Sequence, residues 1–252
     1  MTFIKSINPS NEEIIGEVSA SSIEEVNIAV SLAKESFGSW KNTGIEKRIE
    51  LLKKLSELLE KEKINFTEFI MKEIGKPKIE AETEVLDSQG AIDYYCEKIK
   101  EIKEKNIDFD QEFFPKTKGS VKFEPQGVIG LITPWNYPLS LSMWTIVPAL
   151  LTGNSIVYKP SENSVLIGQK INEIINKIFP KGVFNIIYGD SEIGKILVKS
   201  DIDKLFFTGS VKAGKHIIEN IGLKPVALEL GGKDSAIVCK DTDIDLAVKG
   251  IV

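Results

Sequence analysis

The sequence predicts an α/β protein in which a doubly wound parallel sheet is preceded by an N-terminal helical region. Apolar residues recur at helical spacing up to residue 105, and from about Val121 short β-rich runs alternate with helical ones. The strand candidates, such as 128–132, are apolar at consecutive positions, which is typical of parallel strands covered by helices on both faces. A ligand crevice is therefore expected at the carboxyl ends of the strands.

The helical region is predicted over 22–105. Its apolar stripes indicate helix faces that pack on a core. Serine or threonine followed three residues later by glutamate indicates a helix start, and a glycine followed closely by proline indicates a helix end. These signals are carried by Ser22 with Glu25, by Thr43 with Glu46, and by Gly75 with Pro77.

The second half of the chain is predicted as a βαβ series. Each strand is followed by a helix, which favours right-handed crossovers between parallel strands. The predicted strands are 127–133, 155–158, 183–188, 204–208 and 226–230, with helices after Pro138, from Ser164, near Ile193 and from Lys212. The stretch 106–119 is irregular and is a predicted boundary, and an apolar helix begins near Asp243.

Composition is that of an ordinary globular protein, with 42% hydrophobic and 27% charged residues, which excludes a disordered chain. The net charge of −5 does not favour nucleic acid as a partner. No long apolar segment opens the chain, so we expect no membrane span and a cytosolic location.

The cysteine and histidine counts predict neither disulfides nor a metal site. Cys96 lies in a helical pattern, and Cys239 follows an apolar run, 235–238, that indicates a buried strand. With His216 as the only histidine, the usual zinc ligands are too few.

The run from Thr133 to Pro138 follows a buried strand and precedes a helix. It places Asn136 in the strand-end crevice, where its amide can donate a hydrogen bond to a developing oxyanion. The alternative is a rigid turn with an aromatic plug.

At the next strand end, Lys159 and Glu162 flank Pro160, which restricts the backbone where the chain leaves the strand. They can grip the two hydroxyls of an adenosine ribose as donor and acceptor. The alternative is an exposed ion pair.

The loop from Thr208 to His216 lies between a strand and a helix and offers backbone N–H groups to a pyrophosphate. The P-loop pattern matches through Lys215 but fails at His216, which has no hydroxyl for magnesium, and the G-x-G-x-x-G fingerprint is absent. The loop sequence therefore indicates a phosphate site of a third kind, different from both of these motifs, or a plain helix-capping turn.

Glu229 interrupts an apolar strand just before Gly231 and Gly232. A carboxylate there costs free energy unless it is paired or used, so a general base is one hypothesis. A structural ion pair with Lys233 is the other.

Together, and in this order, the four motifs resemble the aldehyde dehydrogenase superfamily. The run Glu73 to Pro77, with Glu80-Ala81 and Glu84-Val85, resembles its N-terminal helical region, so the likeness covers nearly the whole chain. It implies a Rossmann-like sheet of the aldehyde dehydrogenase type and oxidation of an aldehyde with hydride transfer to NAD. NADP is less favoured because Glu162 would repel its extra phosphate.

The resemblance also implies a role for each matched residue. Asn136 would contribute to the oxyanion hole and Glu229 would be the general base. The cofactor contacts would be Thr133, Pro134, Trp135, Leu230 and Gly231 near the nicotinamide, Lys159 and Glu162 at the ribose, and Gly209, Ser210 and Gly214 at the pyrophosphate.

The domains follow from the same resemblance. Residues 1–107 and 126–231 would form the cofactor-binding domain, 108–125 an oligomerisation strand segment with an unpaired edge around 120–125, and 232–252 the start of a truncated catalytic domain. A homo-oligomer is implied for the complete family enzyme.

One departure concerns the nucleophile. The family's cysteine would fall beyond Val252, and neither Cys96 nor Cys239 stands at its place, so we expect a truncated chain that is inactive by itself. The alternative is a non-catalytic dinucleotide-binding or interaction protein with the same fold.

Overall fold

The computed structural model describes residues 2–102, 104–110 and 112–251. Four positions of the predicted segments lie outside the described residues. They are positions 1 and 103 of segment 1–107, position 111 of segment 108–125 and position 252 of segment 232–252. The division into domains stays a prediction.

The chain opens with an antiparallel hairpin that the sequence analysis did not assign. Strand β1 (Phe3–Ile7) pairs with β2 (Ile14–Ser19), and Glu12 adopts a positive φ of 61° in the connection. Both strands are largely exposed, so their apolar pattern is weak and gives little signal for a strand.

Four helices follow: α1 (Ile23–Lys41), α2 (Ile45–Lys61), α3 (Lys63–Ile74) and α4 (Lys78–Lys98). The capping box of Ser22 and Glu25 is confirmed. The helix end at Gly75 is confirmed as well, since that residue caps α3 with a φ of 81°. The predicted cap at Thr43 is wrong. Gly44 holds the N-cap position, and the Thr43 hydroxyl donates backwards to Ser39 O at 3.2 Å.

A short second hairpin leads to the main sheet. Strand β3 (Lys105–Ile107) pairs antiparallel with β4 (Gly119–Val121), and the described residues between them form no helix or strand. The stretch predicted to be irregular, 106–119, therefore overlaps both strands at its ends. One edge of β4 is therefore paired within the chain. The unpaired edge expected around 120–125 stays a prediction for its other side.

The main sheet is parallel and has the strand order β7-β6-β5-β8-β9 within the described residues. Its strands are β5 (Val128–Ile132), β6 (Ser155–Lys159), β7 (Phe184–Ile186), β8 (Lys204–Gly209) and β9 (Val226–Leu230). The connecting helices are α5 (Ser140–Leu151), α6 (Val165–Asn176), α7 (Ser191–Lys199) and α8 (Val211–Asn220). The strand order reverses between β5 and β8, and the doubly wound α/β prediction is confirmed.

Helices cover both faces of this sheet. Ile129 and Leu131 of β5 pack into a large core that includes residues of α2, α4, α5 and α6. Val128 of the same strand packs into a second core with residues of α1, α7 and α8. Burial on both sides explains why these strands are apolar at consecutive positions.

The last part of the described chain corrects one prediction. No strand forms over 235–238, where Ile237 is 88% exposed, and Cys239 is exposed as well. The helix expected near Asp243 is confirmed as α9 (Ile244–Ile251), with the Asp243 carboxylate accepting a bond from Leu246 N at 3.1 Å. No helix in the described ranges is long and apolar enough to cross a membrane.

Candidate functional site

A cleft of about 670 Å³ lies at the carboxyl ends of β5, β6 and β8, where the strand order reverses. This is the place at which open α/β sheets bind their ligands. The predicted site residues that line it are Thr133, Pro134, Trp135, Lys159, Glu162, Gly209 and Ser210.

Lys159 is the buried cation of this cleft. It is 3% exposed, and its Nζ donates to Pro160 O at 3.1 Å and lies 3.8 Å from Oε2 of the half-exposed Glu162. Burial lowers the pKa of Lys159, and the carboxylates of Glu162 and Asp190 offset part of that shift. An ammonium group has three donors, so Lys159 has donor capacity to offer a ligand in the cleft.

The loop after β8 presents the start of α8 to the cleft. Ser210 is the N-cap, and its hydroxyl accepts a bond from Ala213 N at 3.2 Å. The first N–H groups of a helix carry a partial positive charge and suit an anion. Gly214 is buried and does not itself line the cleft, and a Cβ there would come within 2.7 Å of the Leu230 side chain.

The loop after β5 carries Asn136, whose side chain is exposed beside the lining residue Trp135. Beneath this loop, the buried hydroxyls of Thr133, Ser142 and Tyr158 form a hydrogen-bonded cluster with O–O distances of 2.9 to 3.3 Å. Ser142 Oγ also donates to Pro138 O at 2.6 Å. The buried cluster therefore fixes both ends of the loop.

Glu229 lies on β9, opposite Thr208 of β8. It is exposed, not inserted into an apolar layer, and within the described residues it makes no ion pair with Lys233. The structural ion pair that the sequence left open is thus not formed. Leu230 is opposite Gly209, and Gly231 N donates to Gly209 O at 3.0 Å, so both adjoin the loop that lines the cleft.

Sequence reasoning missed one wall of the cleft. Asp190, Ser191, Gly194 and Lys195, at the start of α7, line it beside Lys159. The available signal was Asp190, a helix-capping residue just after β7, which is a fourth strand end at the same edge of the sheet. Lys212 and His216 of α8 also line the cleft, and the lining as a whole contains three lysines and two carboxylates.

Neither cysteine lines this cleft. Cys96 is buried in α4, where burial raises the pKa of its thiol, and Cys239 is exposed. Over the ranges that the structure describes, no group of three or more histidine, cysteine, aspartate or glutamate residues is arranged to hold a metal ion.

Comparison with known proteins gives one consistent family. The sequence model of the aldehyde dehydrogenase family matches residues 1–252. The chain is 34% identical to the chloroplastic betaine aldehyde dehydrogenase of Amaranthus hypochondriacus and 37% identical to betaine aldehyde dehydrogenase 1 of Oryza sativa subsp. japonica, in each case over 96% of this chain and 50% of the relative.

A solved structure agrees. Betaine aldehyde dehydrogenase from Staphylococcus aureus in complex with NAD+ superposes with a TM-score of 0.93 at 32% identity, over 98% of this chain and 50% of that one. The chain spans about half the length of the curated relatives it matches.

Proposed function

Because the chain belongs to the aldehyde dehydrogenase family, we propose that its cleft binds NAD and that it serves the oxidation of an aldehyde to a carboxylic acid. One observation carries the proposal. Motifs from three strand ends, separated by up to about eighty residues of sequence, converge on one cleft, whose volume of about 670 Å³ is within the usual range of small-molecule sites. The bound cofactor would supply the hydride acceptor.

The chemistry of the lining fits such a cofactor. The α8 N-terminus with Ser210 would hold the pyrophosphate, and Gly209 would let its backbone approach closely. Lys159 has unused donors and Glu162 unused acceptors for the two hydroxyls of a ribose. Trp135 also lines the cleft, on the loop after β5, and would contact the nicotinamide end.

The catalytic roles are proposals of the same kind. Asn136, on the loop after β5, would donate its amide hydrogen bond to the oxygen of the reacting carbonyl. Glu229 is exposed, so its carboxylate can take a proton from water without a prior ion pair being broken. We propose Leu230, Gly231 and Gly214 as supports of the cofactor loop, because they contact or adjoin Gly209 and Ser210.

Calorimetric titration with NAD tests the site. Wild type should bind, and Lys159→Met should bind at least tenfold more weakly, since a charge-assisted hydrogen bond is worth roughly 1.5–3 kcal/mol. Lys181→Met is the matched control. Lys181 lines a second depression of about 680 Å³ next to β2, α1 and α6. A loss of NAD affinity seen only with Lys181→Met would mean that NAD binds in that depression.

The 252 residues by themselves are proposed not to oxidise aldehydes, because neither of their two cysteines lines the cleft. NADH formation with a panel of aldehydes should stay at background and should be unchanged by Cys239→Ser. Turnover that this substitution abolishes would contradict the proposal. NAD binding without turnover also fits a non-catalytic dinucleotide-binding protein, which is the second candidate.

NAD is proposed over NADP, and a homo-oligomer is proposed for the complete family enzyme. The cytosolic location remains a prediction, since a relative's name places that protein in the chloroplast.

A further inference from the structure

A buried ion pair lies behind the loop that carries Asn136. Lys76 Nζ is 2.8 Å from Glu84 Oε2, and the two side chains are 10% and 0% exposed. Removing two charges from water costs several kcal/mol per ion unless further bonds satisfy them. What else each charge contacts therefore indicates what the pair does.

Glu84 uses its other oxygen to hold the start of α5. Its Oε1 accepts from Leu139 N at 2.8 Å and from Ser140 N at 3.2 Å, across more than fifty residues of sequence. A carboxylate at this position satisfies N–H groups that lack partners within the helix and interacts favourably with the helix dipole. It therefore fixes the point at which the Asn136 loop joins α5.

Lys76 contacts the loop itself. Its Nζ lies 3.4 Å from the centroid of the Tyr137 ring, which is the distance of a cation–π contact. Tyr137 is otherwise exposed and follows Asn136 directly. The ammonium is therefore shared between Glu84 on one side and this ring on the other.

Neither Lys76 nor Glu84 lines the cleft, and Asn136 makes no side-chain hydrogen bond within the described residues. No side-chain hydrogen bond from the described residues therefore holds Asn136, and its place depends on how the backbone of the loop is held. The hydroxyl cluster holds both ends of the loop, and Glu84 with Lys76 adds contacts to Leu139, Ser140 and Tyr137.

We propose that Lys76 and Glu84 are positioning residues, which set the place of Asn136 and Trp135 through Tyr137 and the start of α5. The proposal rests on the proposed function, since it matters to catalysis only if this loop serves the reaction. The proposed positioning role can be tested in the ligand-free chain. Loss of the Lys76 charge should displace Trp135 while the core stays intact.

Fluorine NMR of the full chain labelled with fluorotryptophan tests this without any ligand. The three tryptophans give three signals: Trp135 in the loop, Trp40 in the core and Trp144 on α5. Lys76→Met should shift or broaden the Trp135 signal and leave Trp40 unchanged, and Lys76→Arg should restore it. Lys78→Met is the control, because Lys78 pairs with Glu82 at the exposed surface two residues away.

The second readout separates positioning from general damage. Lys76→Met should weaken NAD binding about tenfold and leave AMP binding within about twofold, because AMP would occupy the part of the site near Lys159 and Ser210 and would lack the nicotinamide end proposed to contact Trp135. If Lys76→Met does not fold, Tyr137→Leu with Tyr137→Phe as its rescue makes the same comparison.

An unchanged Trp135 signal in folded Lys76→Met overturns the proposal, and so does an equal loss of NAD and AMP binding. If wild type binds neither NAD nor AMP, the proposed function fails. The Trp135 signal then still decides whether the ion pair positions the loop.

Discussion

The hydroxyl of Ser6, in the N-terminal hairpin, donates a 2.6 Å hydrogen bond to the buried carboxylate of Glu73 on α3. The same carboxylate accepts bonds of 2.9 Å from Leu166 N and Ile167 N at the start of α6. Glu73 thus fastens the hairpin to the helix that follows the Lys159 and Glu162 segment. Glu73 accepts hydrogen bonds from backbone N–H groups at the start of α6, as Glu84 does at the start of α5. Two buried carboxylates therefore hold the helices behind two walls of the cleft.

Replacing Glu73 by glutamine should lower the free energy of unfolding by about 1–3 kcal/mol, because an amide nitrogen would face a donor and leave it unsatisfied. Glu68→Gln, at an exposed position of the same helix, should change it by less than about 0.5 kcal/mol. Urea unfolding of the three proteins measures both values. Equal stability of wild type and Glu73→Gln would mean that the three hydrogen bonds contribute nothing net.

The same carboxylate predicts a pH dependence. Burial raises the pKa of Glu73 above its ordinary value of 4.5, and the hydrogen bonds from Ser6, Leu166 and Ile167 offset part of that shift. The folded state therefore keeps this proton to higher pH than the unfolded state does. The stability that comes from binding this proton is present below pH 4.5 and is lost as the pH rises through the raised pKa. Unfolding free energies across this range should fall more steeply with pH in wild type than in Glu73→Gln, and parallel curves would contradict this.

NAD affinity should fall at alkaline pH because of Lys159. Burial lowers the pKa of its ammonium below the ordinary 10.5, so this donor loses its charge before an exposed lysine does. Titrations from neutral pH to about pH 10 should show the fall in wild type, and Lys159→Arg, which stays charged, should flatten it. A fall of the same size in Lys159→Arg would assign the effect to another group.

Glu162 should make the cleft prefer NAD to NADP. Its carboxylate is 46% exposed and would face the extra phosphate with like charge, so the preference should be of order 1–2 kcal/mol after screening by water. Glu162→Gln should narrow the gap. Glu173→Gln, at 47% exposure, should leave it unchanged. The measurement is calorimetric titration of both cofactors, and equal affinities in wild type would mean that Glu162 does not face the ribose.

The chain should self-associate through the apolar side chains of its last described segment. Ile237 and Leu246 are 88% and 69% exposed, and no residue of α9 is buried. Light scattering at rising concentration should show association that the double substitution Ile237→Ser, Leu246→Ser reduces. The matched control is Ile64→Ser, Ile79→Ser, at 74% and 73% exposure elsewhere. A monodisperse wild-type monomer would refute this prediction.

Much of the main sheet could be predicted from local patterns. The strand 226–230 is found with the predicted bounds, and the other four strands lie within about two residues of theirs. The site loops could be located as well, because a parallel sheet brings all its strand ends to one edge. The strand expected over 235–238 did not form, because an apolar run becomes a strand only where a neighbouring strand pairs with it.

The sequence by itself determined the order of strands and helices, the family resemblance and the residues proposed to face the cofactor, because each depends on neighbours a few positions apart. Only the tertiary structure decided what Glu73 and Glu84 do. Their hydrogen-bond partners lie 93 and 55 residues away in the chain. The same glutamates on an exposed helix face would be solvated charges. Burial makes them helix caps, since a carboxylate removed from water must find donors wherever packing supplies them.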